Sequence, residues 1–363
     1  MQPFAMRAAA AMIMVALAGP GIATGSETPG GPGQGELLFF VSADGVVVDS
    51  NSALYDMDDA SADVDVLGSF SAGSFRVLGE FLLSTDEQEL ERLQFGWEVR
   101  PETYLWIGRF HQPASVWNTR HHHGSYLQPS ITRPVIESWE DEGGVLPQHF
   151  VGALGETRLP LGTAGGLSLQ AGLGAGPRLE GRELMPVEIY EPKSLDGRGS
   201  WSFRAAYLPE FEDEDAIGLV ASGSQIDLSR STYVGPASRV DLRVLGLFTS
   251  WQHESLRLDA AGYLVRSRFV GAASGAEDFA AGYLQFRREF ARGLSLLGRL
   301  EGSADTSDSA YLALFPGFVK LRAIADVRWD FRPQHALSVE IASNRVRGSE
   351  VREFRLQWSA VLP

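Results

Sequence analysis

Histidine and carboxylate are the chemically able side chains that this sequence groups most tightly. Five of its seven histidines, His111, His121, His122, His123 and His149, fall between Tyr104 and Gly152. The same stretch holds Glu137 and the acidic run Glu140, Asp141, Glu142. Neutral imidazole ligates zinc, copper or nickel, and an adjacent carboxylate completes such a site. In an extended chain consecutive side chains alternate, so of the three adjacent histidines only His121 and His123 share a face. A divalent metal reading therefore joins His121 and His123 to Glu140 and Asp141 by folding the segment back on itself. No spacing here is a strong metal signature. A second reading is a cation-attracting eyelet built from His111, Asn118, Arg120, His121, His123, Arg133, Glu137, Glu140, Asp141, Glu142 and His149. The plainest reading is a polar loop whose histidines and acids pair with arginines elsewhere.

The elements that must position this stretch are strands. From Glu36 onward, segments alternate apolar with polar residues, the period of a β-strand. In LRAIADVRWDF, Leu321, Ala323, Ala325, Val327, Trp329 and Phe331 share one face, and Arg322, Ile324, Asp326, Arg328 and Asp330 share the other. Sixteen such segments are predicted: about 36–48, 63–70, 74–83, 91–99, 103–110, 149–158, 166–175, 200–208, 216–226, 239–251, 255–268, 278–290, 293–303, 318–331, 335–346 and 350–361. Short connections such as RPET and RPQ alternate with long polar ones, and every long connection falls on one side. Tight turns on one rim and long loops on the other are how a transmembrane antiparallel β-barrel is built. The fold class is therefore all-β, a membrane barrel of about sixteen strands. Residues 111–148 become its third long loop, and they are expected to fold into the lumen. Many prolines and the aromatics Trp117, Tyr126 and Trp139 give that loop a packed course.

If the apolar faces meet lipid, the polar faces line the interior. The lumen is then expected to carry Arg243, Arg257, Arg287, Arg299, Arg322, Asp326, Arg328 and Glu340. Charges of both signs in a lumen set up a transverse field that suits small polar solutes.

Composition agrees with this class. The chain has 363 residues, no Cys and a net charge of −15, so disulfides and thiolate chemistry are excluded and nucleic acid is a poor partner. Hydrophobic residues are 44%, yet no apolar run reaches the length of a membrane helix after the N-terminus. Residues 1–24 read as a signal peptide: Arg7 supplies the positive end and AAAAMIMVALAG the apolar core. Residues 25–35 read as a flexible segment and 36–363 as one barrel domain. No G-x-S-x-G turn is present, and His253 and His335 sit in predicted turns without an obvious Ser or Asp partner. The sequence points away from an enzyme.

In strand number, topology and loop rank the chain resembles the sixteen-stranded bacterial porins. IGRF, Ile107 to Phe110, is similar to the strand that enters the third loop of phosphate-selective porins. The block GRFHQP…WNTRHHHGSYLQPSITRP…EDEGGVLPQHFVG also looks like one found in porin-like outer-membrane proteins. The chain departs from the porin pattern at Pro363, where an aromatic residue is usual; Trp358 and Phe354 stand nearby. The resemblance implies an outer-membrane location with lipid contact, a homotrimer, no cofactor, and passive diffusion of small hydrophilic solutes or ions past loop 111–148. The alternative is a closed barrel whose His/acid loop binds a metal ion or a surface partner.

Overall fold

Alternating sequence becomes alternating exposure along sixteen long strands. They are β1 (Gln34–Ser50), β2 (Asp59–Ala72), β3 (Phe75–Ser84), β4 (Gln88–Arg100), β5 (Thr103–His111), β6 (His149–Pro160), β7 (Gly166–Ala175), β10 (Gly199–Leu208), β11 (Ala216–Ser231), β12 (Arg239–His253), β13 (Leu256–Val270), β14 (Glu277–Glu289), β15 (Leu294–Ala304), β16 (Val319–Arg332), β17 (His335–Val346) and β18 (Ser349–Leu362). Two short strands, β8 (Arg178–Gly181) and β9 (Glu183–Met185), stand in the connection after β7. The computed structural model describes residues 33–50, 58–85, 88–121, 124–140, 142–190, 199–211, 215–272, 275–307 and 309–363. The leader expected at 1–24, together with His122, His123 and Asp141, lies outside those residues.

Each long strand pairs antiparallel with the next, β7 pairs with β10, and β18 pairs back onto β1. The ring of sixteen long strands is thus closed, so among the described residues none of them stands as a free edge of the wall. The expected number of strands is the observed one. The largest boundary difference is at β11, which runs to Ser231 because its end pairs in parallel with β8. One rim carries tight turns, such as that around Glu102 (φ 60°) and that around Gln334 (φ 65°). The other rim carries the long connections, plus a two-residue turn at Arg347 and Gly348 whose positive φ values (47° and 89°) are those of a type I′ hairpin.

The outer surface has an apolar belt, with Leu105, Ile107, Leu173, Leu247, Leu300 and Ile341 all exposed. Phe70, Trp97, Tyr207, Trp251, Phe290 and Phe331 are also exposed and stand at the tight-turn end of their strands. Aromatic rings at one rim of an apolar belt suit a membrane–water interface.

The interior divides into two halves. On β11 to β14 much of the inward face is apolar: Val220, Ile226, Val240, Leu242, Val244, Phe248, Val265, Phe269 and Phe279 join one buried cluster. Trp117, Ile136 and Leu146 of loop 111–148, Leu179 and Leu184 of the β8–β9 hairpin, and Phe315 and Phe318 before β16 complete it. On β1 to β4 and β16 to β18 the inward face is polar. This division corrects one expectation. Arg243 does not line the lumen: it is exposed on the outer face of β12, with Leu245 and Leu247. Both faces of that strand are apolar, so sorting them by charge picked the wrong one. Arg257, Arg287, Arg299, Arg322, Asp326, Arg328 and Glu340 are inward-facing.

Candidate functional site: the connection between β5 and β6

The long connection starts from a rigid base. His111 and His149 are paired in register at the ends of β5 and β6, and Gln112 N donates to Gln148 O at 2.6 Å beyond them. Phe110 and Phe150 stack just below, with centroids 5.3 Å apart. Gly108, Gly152 and Gly174 lie side by side across β5, β6 and β7. Gly108 has φ 140°, and a Cβ there would sit 1.9 Å from Leu93 O, so only glycine lets β4 and β5 approach this closely.

From that base the chain turns into helix α1 (Val116–Arg120), capped by Ser115, whose hydroxyl accepts from Asn118 N at 3.3 Å. Val116 and Trp117 enter the apolar cluster. Glu137, with no exposed surface, gathers the segment: it accepts from Ser115 Oγ (2.5 Å), Trp117 N (2.8 Å) and Tyr263 Oη (2.5 Å). Arg133 donates to Glu137 O (2.9 Å) and to Asn118 Oδ1 (2.5 Å), and lies 3.7 Å above the Trp139 ring. Burial lowers its guanidinium to about 10, against the pull of Glu137 and Glu142. Asn118 Nδ2 donates to Gln148 Oε1 at 2.7 Å, which ties the helix to the returning chain.

The next part reaches other walls of the barrel. Helix α2 (Gly124–Leu127) lies against β1 and β2, where Gly124 N donates to Asp65 at 3.1 Å and Ser125 to Ser42 at 3.3 Å. Arg328 of β16 donates to Tyr126 O (2.7 Å) and Gln128 O (3.1 Å). Arg299 of β15, fully buried, donates to Ser130 Oγ (2.9 Å), Thr132 O (2.9 Å) and Arg133 O (3.1 Å). Glu301 and Glu340 accept from Val135 N (2.6 Å) and Thr132 Oγ1 (2.5 Å). Four of the inward charges that alternation exposes in β15 to β17, Arg299, Glu301, Arg328 and Glu340, are therefore ligands for one loop.

Apart from Glu142, the described candidate eyelet residues fall into three groups. Asn118, Arg133 and Glu137 form the buried network above. Arg120 lies 4.0 Å from Asp259, and His121 packs edge-on against Trp117 at 5.2 Å. Burial and the nearby Arg257, Arg120 and Arg287 hold the His121 imidazole well below its usual value. His111, His149 and Glu140 form the third group, to which β4 adds Glu91. Glu91 Oε2 is 3.4 Å from His111 Nε2 and 3.1 Å from His149 Nε2. Glu140 accepts from Gln148 N (2.7 Å) and His149 N (3.1 Å), and its Oε1 is 3.3 Å from His149 Nδ1. His121 and Glu140 are thus in different groups, and Glu142 is exposed at the cavity edge. Glu91 is the participant that sequence reading missed. It stands in an ordinary alternating strand, and only the β4–β5 pairing brings it to His111.

A cavity of about 640 Å³ separates this loop from β1 to β4 and β16 to β18. Eight carboxylates line it (Asp44, Asp59, Asp63, Asp65, Glu80, Glu91, Glu142 and Glu353) against three arginines, Arg133, Arg322 and Arg355. Arg257, Arg287 and Arg328 stand on the other side of the loop, beside their own acids Asp259, Glu289 and Asp330.

With that geometry in place, solved structures provide the comparison. The anion-selective porin of Comamonas acidovorans superposes with a TM-score of 0.60 at 11% identity, over 91% of this chain and all (100%) of that one. The fold is that of the outer-membrane porins. OmpF of Salmonella typhi, solved with daunomycin, gives a TM-score of 0.59 at 13% identity, over 91% and 98% of the two chains. The trimer form of OmpT, an outer-membrane protein of Vibrio cholerae, gives 0.57 at 9%, over 92% and 100%. No protein-family model matches the sequence. No curated protein matches it either. The porin fold expected from strand count and loop rank is the fold observed.

Proposed function

We propose that this protein is an outer-membrane channel through which small hydrophilic solutes or ions diffuse, narrowed by loop 111–148 and selective for cations. The observation that carries the reading is the polar cavity of about 640 Å³ between the loop and the wall of β1 to β4. Its acidic lining sets the sign: fixed carboxylates raise local cation concentration and repel anions. The eyelet residues act indirectly. Glu137, Asn118 and Arg133 hold the loop's shape, while Glu91 and Glu142 face the passage. A homotrimer in the outer membrane is part of the same reading, in line with the trimer form of the Vibrio protein.

Planar-bilayer recording tests it. Purified protein that shifts on heating in gel electrophoresis gives stepwise conductance, and a salt gradient gives a reversal potential of cation-selective sign. Deleting 117–145 raises the conductance. Folded protein with no conductance, or a deletion without effect, refutes the channel. An anion-selective reversal potential refutes only the assignment of charge.

A further inference from the structure

Among the described residues, one cluster has the composition and spacing of a metal centre: Glu91, His111 and His149. It is not the set that sequence spacing suggested. We propose that Glu91 Oε2, His111 Nε2 and His149 Nε2 bind a zinc-class divalent cation, with a fourth position open to the cavity.

Three features of the site support this. The first is spacing. The three ligand atoms lie within 4.8 Å of one another, with the Glu91 oxygen 3.4 and 3.1 Å from the two nitrogens. Ligands about 2.0–2.1 Å from a tetrahedral zinc ion stand roughly 3.4 Å apart, so the ion fits with movements of a few tenths of an ångström in two contacts and more in the third. The second is orientation. His149 turns Nε2 toward Glu91 and Nδ1 toward Glu140, whose Oε1 is 3.3 Å away. A carboxylate beside the far nitrogen of a ligating imidazole favours the tautomer with the proton on Nδ1 and the lone pair on Nε2. Glu140 is itself fixed by two backbone amides, at 2.7 and 3.1 Å. The third is rigidity with access. The imidazoles end two paired strands, and Trp139 stacks on His149 at 5.0 Å and leans on His111 at 4.9 Å. Glu91 and Trp139 also line the cavity, so a hydrated ion in the passage reaches the site.

Charge agrees. Nearby Arg92 is paired with Glu80 at 2.5 Å, and Arg109 with Glu89 and Glu188. Glu91 and Glu140 then stand as two carboxylates around two imidazoles, with Arg133 over the Trp139 ring as the remaining nearby cation. A divalent ion balances them, and so does a proton shared around His149, which is the rival occupant. Two imidazoles and one carboxylate favour zinc over calcium or magnesium, which take oxygen donors.

The test uses folded full-length protein in detergent, stripped with EDTA. Zinc titrated by calorimetry binds one ion per chain and releases protons at low buffer concentration, and the metal is retained on desalting. Cobalt gives the visible ligand-field bands of a four-coordinate site. Glu91→Gln and His111→Gln abolish retention. Glu140→Gln weakens zinc about 10- to 100-fold, as loss of a carboxylate behind a ligating histidine does. His253→Ala, at an exposed turn, leaves binding unchanged. Heat-modifiability confirms that each variant folds. Should a ligand variant not fold, wild-type stoichiometry and the cobalt spectrum still decide. Folded wild type that retains no zinc, a cobalt spectrum of octahedral type, or undiminished binding in folded Glu91→Gln overturns the proposal.

Discussion

At the residue scale, Glu137 and His121 carry the sharpest consequences. Glu137 has no exposed surface and accepts three hydrogen bonds, two from the start of the loop at Ser115 and Trp117 and one from Tyr263 on the far wall. Tyr263→Phe removes one donor and leaves the others, so it costs about 1–3 kcal/mol. Glu137→Ala leaves three buried donors, Ser115 Oγ, Trp117 N and Tyr263 Oη, without their acceptor and removes the carboxylate that most favours the Arg133 charge, so it costs more, roughly 3–5 kcal/mol. Urea titration of both variants in lipid vesicles checks that order. His121 gives a pH dependence. Its folded value lies well below 6.5, because of burial and then Arg257 and Arg120. Below pH 6.5 the unfolded chain binds a proton that the folded chain refuses. Stability therefore falls as pH drops through that window, by at most about 1.4 kcal/mol per unit for one proton. His121→Gln flattens that part of the profile, as measured by urea midpoints between pH 4 and 7. Neither role was legible in sequence. Glu137 read as one acid among several, and Tyr263, Arg257 and Arg287, which help define the two residues, come from β13 and β14, more than a hundred positions away.

At the element scale, the legible part was the wall and the illegible part was what fills it. Period-two alternation is enforced wherever one face meets lipid and the other a polar lumen. That is so on β16, where Arg322, Asp326 and Arg328 alternate with Leu321, Ala325 and Val327. On β12 the loop brings its own apolar side chains to the inner wall, so Leu242 and Val244 are buried while Leu245 and Leu247 are exposed. A strand apolar on both faces carries no internal mark of inside and outside. The straps of the loop do carry one, since Arg299 and Arg328 stand on inward faces with backbone carbonyls as acceptors. Removing both side chains, in Arg299→Ala with Arg328→Ala, leaves Thr132 O, Arg133 O and Tyr126 O without those donors. The wall keeps its own pairing, so the barrel still assembles and shifts on heating. The loop loosens, and single-channel records show larger and noisier conductance than wild type. Unchanged records from the folded double variant refute the strapping role.

At the scale of the whole molecule, the outer surface records where the membrane sits. Arg243 and Arg266 are partners across β12 and β13, and both are exposed. Two residues toward the tight-turn rim, Leu245 and Leu264 are partners and equally exposed. The change from a pair of arginines to a pair of leucines is an edge, above which Arg268 binds Asp241 at 2.8 Å and Arg266 binds Asp278 at 2.7 Å. Below it the outer face carries Leu247 and Trp251, with the uncharged Thr249 between them. A cation is tolerated on the water side of such an edge and penalised inside the belt, more so toward the midplane. Leu247→Arg therefore costs about 2–4 kcal/mol of folding stability in a bilayer, the range for a cation on the lipid face near the midplane. Arg243→Leu costs little, because the belt merely extends by one row. Unfolding in urea from lipid vesicles compares the two. If both substitutions cost the same, the edge between Arg243 and Leu245 is not the membrane boundary. A large difference fixes the height of the barrel in the bilayer, with the acid-lined cavity opening toward the rim of long connections.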